Sequence, residues 1–246
     1  MFGKKKIAML LAEFLGTGVL TLVVLAVQRS TIGVPYFVGI GAGLAIVLLL
    51  LVFGNISGAQ MNPAITIALW TTRKVNSLAA ATYLVAQLLG AWAAYGIYTY
   101  FVNSTLQNIG GHLTLRVFVA EAVGAFIFAF AWAAIVAQRY SDGVMASAIG
   151  VAFALGLIVA AVAGIGLINP ALALGTRAWD IWGTMGWGTY VLGPVVGAVV
   201  GVNLHQYVFA SVERELAPAR VASSSSSTRA TAKKAPARKR SPAKKR

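Results

Sequence analysis

The tripeptide Asn-Pro-Ala occurs twice, at Asn62-Pro63-Ala64 and Asn169-Pro170-Ala171, at matching places in an internal repeat of about 107 residues. The repeat extends beyond the tripeptides. Ala12-Glu13-Phe14-Leu15-Gly16-Thr17 is echoed by Ala120-Glu121-Ala122-Val123-Gly124-Ala125, and Tyr83, Gly90 and Ala91 by Tyr190, Gly197 and Ala198. Asn is a strong helix N-cap and Pro suits the first helical position. Each Asn-Pro therefore predicts a helix start, preceded by a stretch rich in small residues, Ser57–Met61 and Gly164–Ile168.

What surrounds these starts is apolar. Of the 246 residues, 59% are hydrophobic and 11% charged, against about 25% charged in a soluble domain. Six stretches, near 7–27, 35–53, 78–100, 116–137, 144–163 and 187–210, approach the roughly 20 residues that cross a bilayer. Two shorter apolar segments, near 62–70 and 169–178, would rise about 12–14 Å as helices, which reaches the middle of a membrane but does not cross it. The expected fold is an all-α membrane protein of six transmembrane helices and two re-entrant half-helices. Each half, 1–107 and 108–212, holds three spans and one half-helix. An odd number of spans inverts the second half relative to the first, and such folds place the solute site at interrupted helices near the midplane.

Lysine and arginine placement sets the orientation. One side holds Lys4, Lys5, Lys6, Arg73, Lys74 and Arg139, and the other Arg29, Arg116 and Arg177. Both termini then lie on the first side, which the positive-inside bias makes cytoplasmic; the expected location is the plasma membrane. Residues 213–246 carry eleven Lys/Arg against two Glu and a run of five serines. No core can form there, so a disordered cytoplasmic tail is expected. Its charge suits anionic lipid ahead of nucleic acid.

Two half-helices of opposite sense would aim their N-termini at one point, each with roughly half a positive charge, and Asn62 and Asn169 would add amide donors. Water or a neutral hydroxyl-bearing solute can accept those bonds, while a cation meets a barrier. The loops before them would line a pore with carbonyls, because non-helical backbone at membrane depth survives only inside protein or beside a wet cavity. Glu13 and Glu121 lie inside spans, where an unpaired carboxyl is costly. They are expected to support the re-entrant loops by accepting backbone N–H groups, with proton relay as the second reading.

On these residues the sequence resembles the major intrinsic protein family, the aquaporins and glycerol facilitators. The likeness includes Ser57-Gly58-Ala59-Gln60-Met61-Asn62-Pro63-Ala64, Ala86-Gln87-Leu88-Leu89-Gly90-Ala91 and Gly193-Pro194-Val195-Val196-Gly197-Ala198, and it spans about residues 7–210. The resemblance implies a passive channel with one pore per subunit, a homotetramer and no cofactor. It also implies a narrow selectivity filter at Ala42, Leu157, Gly166 and Leu172. Members usually carry Arg after the second Asn-Pro-Ala, and water-selective ones add an aromatic residue and a His. Here all four positions are apolar, so a wider constriction is expected, favouring glycerol-like neutral solutes over strict water selectivity. Arg177 follows Leu172 by five residues, about 140° around a helix, and is expected to face elsewhere.

Other features have plainer readings. Gly193, Gly197 and Gly201, like Gly39 and Gly43, let helices approach closely. Trp70, Tyr98, Tyr100, Trp182 and Trp187 suit membrane interfaces. His205 is expected to be solvated or bonded to backbone, with a pH-gated pore as the minority reading. The absence of Cys excludes disulfides and thiolate metal sites. No nucleophile–base set suggests an enzyme. A non-conducting scaffold or adhesion protein of the same fold is the alternative class.

Overall fold

The computed structural model describes residues 3–30, 34–111, 113–181 and 186–212. His112, Trp182 and the basic tail 213–246 lie outside them. The described residues are helical: α1 Lys4–Gln28, α2 Pro35–Ser57, α3 Pro63–Thr71, α4 Ser77–Val102, α5 Leu115–Ala137, α6 Asp142–Ala160, α7 Pro170–Gly175 and α8 Gly193–Leu204. Five of these are long and apolar enough to cross a membrane, and Gly188–Val212, which contains α8, is the sixth span. Their outward faces stay apolar: Leu44, Leu48 and Leu51 on α2 are each more than half exposed. That surface needs lipid rather than water.

Helices of the two halves pair alike. α1 packs on α4 as α5 packs on α8, and α2 crosses α6 between the halves. The α2–α6 crossing is made by glycines: a Cβ on Gly43 would lie 2.6 Å from the Gly150 carbonyl oxygen, and one on Gly150 would lie 2.6 Å from that of Gly43. Any side chain there would push the halves apart. The half-helices exchange partners, with α3 lying on α8 and α4, and α7 on α4 and α1.

Three elements differ from their expected form. The second half-helix is regular only over Pro170–Gly175, not to residue 178. Thr176 Oγ1 donates back to the Leu172 carbonyl at 2.8 Å, Arg177 turns left-handed (φ 64°), and the Ala178 N–H closes on the Ala173 carbonyl, which together terminate it. The last span is not one even helix. Gly188–Leu192 and His205–Phe209 wind as π-helix on either side of α8. Pro194 offers no N–H to the Tyr190 carbonyl, which opens the first of these turns. Of the two readings of His205, solvated or bonded to backbone, the first fails: it is only 1% exposed, with its ring edge-on to Phe130.

Candidate pore centre

Each half-helix starts as the Asn-Pro pair dictates. Asn62 and Asn169 hold extended backbone (φ −151° and −148°) and cap their own helices. Asn62 Oδ1 accepts the Ala64 N–H at 2.8 Å, and Asn169 Oδ1 accepts the Ala171 N–H at 2.9 Å. Their amide nitrogens then cross between the halves. Asn62 Nδ2 donates to the Ile168 carbonyl at 3.1 Å, and Asn169 Nδ2 donates to the Met61 carbonyl at 2.9 Å. A carboxamide nitrogen carries two hydrogens. Each asparagine thus straps the opposite loop with one and retains another, beside the N-termini of α3 and α7.

The loops that deliver these asparagines are strained. Ala59, Met61 and Ile168 all have φ near +48°, and such residues cost about 1–3 kcal/mol each. A carboxyl holds each loop. Glu13, fully buried on α1, accepts Ser57 Oγ (2.7 Å), the N–H of Gln60 (3.0 Å) and of Met61 (2.7 Å), and Gln87 Nε2 (2.8 Å). Glu121, fully buried on α5, accepts the N–H of Leu167 (2.9 Å) and of Ile168 (2.7 Å). In both halves the strained residue before Asn donates the shortest backbone bond, 2.7 Å. Small residues make room: a Cβ on Gly16 would meet the Met61 side chain, and one on Gly124 the Ile168 side chain.

Gln87 is a site residue that sequence reasoning missed. It donates to Glu13 and, at 2.9 Å, to Thr66 Oγ1, and Thr66 donates to the Asn62 carbonyl at 3.2 Å. A hydrogen-bonded chain therefore runs from α1 through α4 to the first Asn-Pro-Ala. Its signal was present: an amide in an apolar span needs a buried partner.

Ala42, Leu157, Gly166 and Leu172 all lie in the interior. Ala42, Leu157 and Leu172 share one apolar cluster with Ile46 and Phe153, and none of the three has any exposed surface. Gly166 abuts Leu157, since a Cβ there would lie 2.5 Å from the Leu157 carbonyl oxygen. Apolar composition therefore does not by itself open a wide aperture in this conformation: without a charged group to solvate, the two leucines pack as core. Arg177 turns elsewhere. It lies 5.8 Å from the Tyr95 ring centroid and 3.8 Å from Asp180. Arg29, from the end of α1, donates to the Thr176 carbonyl at 3.3 Å, a cation at the negative end of α7. Outside the spans, partial burial of Lys74, just past α3, lowers its pKa below the usual lysine value.

Known proteins share this plan. Residues 3–205 match the model of the family described as major intrinsic protein. Aquaporin AqpM of Methanothermobacter thermautotrophicus is 32% identical over 226 residues, covering 79% of this chain and 91% of its own. The glycerol uptake facilitator protein-like 6 of Lactiplantibacillus plantarum is 30% identical over 204 residues, covering 77% and 93%. The X-ray structure of the aquaglyceroporin from Plasmodium falciparum superposes with a TM-score of 0.70 at 24% identity, over 84% of this chain and 98% of that one; it supports the fold alone. With six apolar spans and two such half-helices, this chain is a multi-pass membrane protein that belongs to the major intrinsic protein family.

Proposed function

We propose that the chain is a passive channel, not an enzyme, conducting water and small neutral solutes past Asn62 and Asn169. The observation that carries this reading is the reciprocal strap, in which each asparagine is fixed by the opposite loop and keeps an amide hydrogen for a passing solute. The two repeats, 1–107 and 108–212, would each supply one half-helix. Ala42, Leu157, Gly166 and Leu172 would form the filter. Opening needs the leucines to turn aside. Once open, that ring offers few hydrogen bonds, which suits glycerol-like solutes better than water alone. Both termini would be cytoplasmic, the membrane the plasma membrane, the assembly a homotetramer, and the tail a ligand of anionic lipid ahead of nucleic acid.

Proteoliposomes test this by stopped-flow light scattering. The expected result is shrinkage in sucrose and swelling in glycerol, both faster than in empty vesicles, with glycerol swelling slowed by Leu172→Arg. One observation favours the second reading, a non-conducting scaffold: Ala42, Leu157 and Leu172 are fully buried. Wild-type traces equal to those of empty vesicles, with Leu172→Ala equally silent, would establish that reading instead.

A further inference from the structure

We infer that the groove between the lysine-bearing ends of α1 and α4 holds one anionic phospholipid of the adjacent leaflet. α1 and α4 touch closely where Gly90 has no side chain; a Cβ there would fall 2.2 Å from the Phe14 carbonyl oxygen. Toward Lys6 and Asn76 the space between the helices is not filled. They leave an apolar groove of about 620 Å³ walled by residues such as Ile7, Leu11, Val85 and Leu89, each about half exposed. A second, more enclosed pocket of about 180 Å³ continues it, sharing Leu10 and Thr82. Here the wall turns polar, with Lys6, Asn76 and Tyr83, and Lys4 and Lys5 precede in sequence. Among the described residues, no Asp or Glu lines either space.

Length argues for the same occupant. From Asn76 to Leu89, α4 rises about 20 Å, and the hydrocarbon of one leaflet is about 15 Å deep. A polar, cationic pocket thus opens onto an apolar slot one acyl chain long. That is the order of chemistry along a phospholipid, and the lysine selects a negative headgroup. A second copy of the chain in two-fold contact through this face would set lysine against lysine, which disfavours it as the occupant.

Native mass spectrometry of the purified full chain tests this with phosphatidylglycerol and phosphatidylcholine of identical acyl chains. The wild type should retain phosphatidylglycerol in preference to phosphatidylcholine. Lys6→Gln should reduce that preference about fivefold, the factor corresponding to ~1 kcal/mol for one cation near an anionic headgroup. Ala81→Trp fills the lipid-facing groove without changing charge, so any contribution of the basic tail persists; it should lower retention of both lipids. Equal retention of the two lipids by the wild type would overturn the inference. So would unchanged phosphatidylglycerol retention in both variants, which would place the lipid on the tail. Loss of subunit assembly in Ala81→Trp with lipid retention intact would instead make the groove a subunit contact. Glycerol flux measured on the same samples reads the channel separately, so failure of one claim leaves the other visible.

Discussion

The two re-entrant loops reach the same backbone by different means. Met61 and Ile168 adopt φ 47° and 48°, and each donates its N–H to a buried carboxyl. Around Glu13, however, stand Ser57, Gln87 and Thr66, whereas the repeat-related positions around Glu121 are Gly164, Pro194 and Ala173. Glu13 gathers four donors, two of them side chains, whereas Glu121 faces backbone N–H groups alone, those of Leu167 and Ile168 with Gly166 beside them. The second loop also needs less. Where the first forces Ala59 to φ 47°, the second has Gly166 at φ 71°, a conformation glycine adopts without strain. Bracing scales with strain: one half invests in side-chain hydrogen bonds what the other avoids with a glycine.

The sharpest test is to remove each carboxyl. Glu13→Ala strands four donors, and Glu121→Ala fewer, the N–H groups of Leu167 and Ile168 with the more weakly held Gly166, at about 1–3 kcal/mol per buried unsatisfied group. Thermal unfolding in detergent should therefore fall further for Glu13→Ala, and equal losses would break the comparison. Next in size is Gly166→Ala. Its Cβ would press to 2.5 Å from the Leu157 carbonyl oxygen, while the reverse change, Ala59→Gly, relieves a strained residue. We expect a loss of about 3 kcal/mol for the former and a gain near 1 kcal/mol for the latter. Gln87→Leu should cost about 1–2 kcal/mol, because three donors to Glu13 remain while Thr66 keeps the Asn62 carbonyl and loses only Gln87.

Lys74 gives the smallest effect. Its counterpart past α7, counted from the matching left-handed residues Arg73 and Arg177, is Ala178. Burial lowers the Lys74 pKa from 10.5, so the folded state disfavours the charged form and the penalty is full below the lowered value. Lys74→Ala should raise the unfolding midpoint slightly at neutral pH. That advantage should fade as pH rises from the lowered value toward 10.5; an advantage constant in pH would assign it to something other than charge.

The same comparison explains what was legible beforehand. Spans and half-helix starts depend on apolar length and on Asn-Pro, which are local. The strap between Asn62 and Ile168 is not, because it joins residues that only the inverted packing brings together. Gln87 was visible as an amide in an apolar span, but its partners lie on α1 and α3. The shortened α7 had a clue: Asn62 and Asn169 are 107 apart, whereas Arg73 and Arg177 are 104 apart. Three residues, most of a helical turn, are therefore missing from the second half-helix, and the ends are held differently. Asn203 Nδ2 reaches Thr71 Oγ1 at 2.8 Å beside α3, while Arg29 serves α7. The four positions that the resemblance assigns to a filter could be counted from the motifs. Their burial could not, since it depends on how Leu157 and Leu172 pack.

The account rests on positive helix ends and amide donors meeting at one point, with no arginine at residue 172. Glycerol swelling and the decay of an imposed pH gradient, followed with an entrapped pH-sensitive dye in one proteoliposome preparation, test that directly. The account predicts glycerol flux well above that of empty vesicles with proton leak equal to theirs. Proton leak that climbs in step with glycerol flux would contradict it.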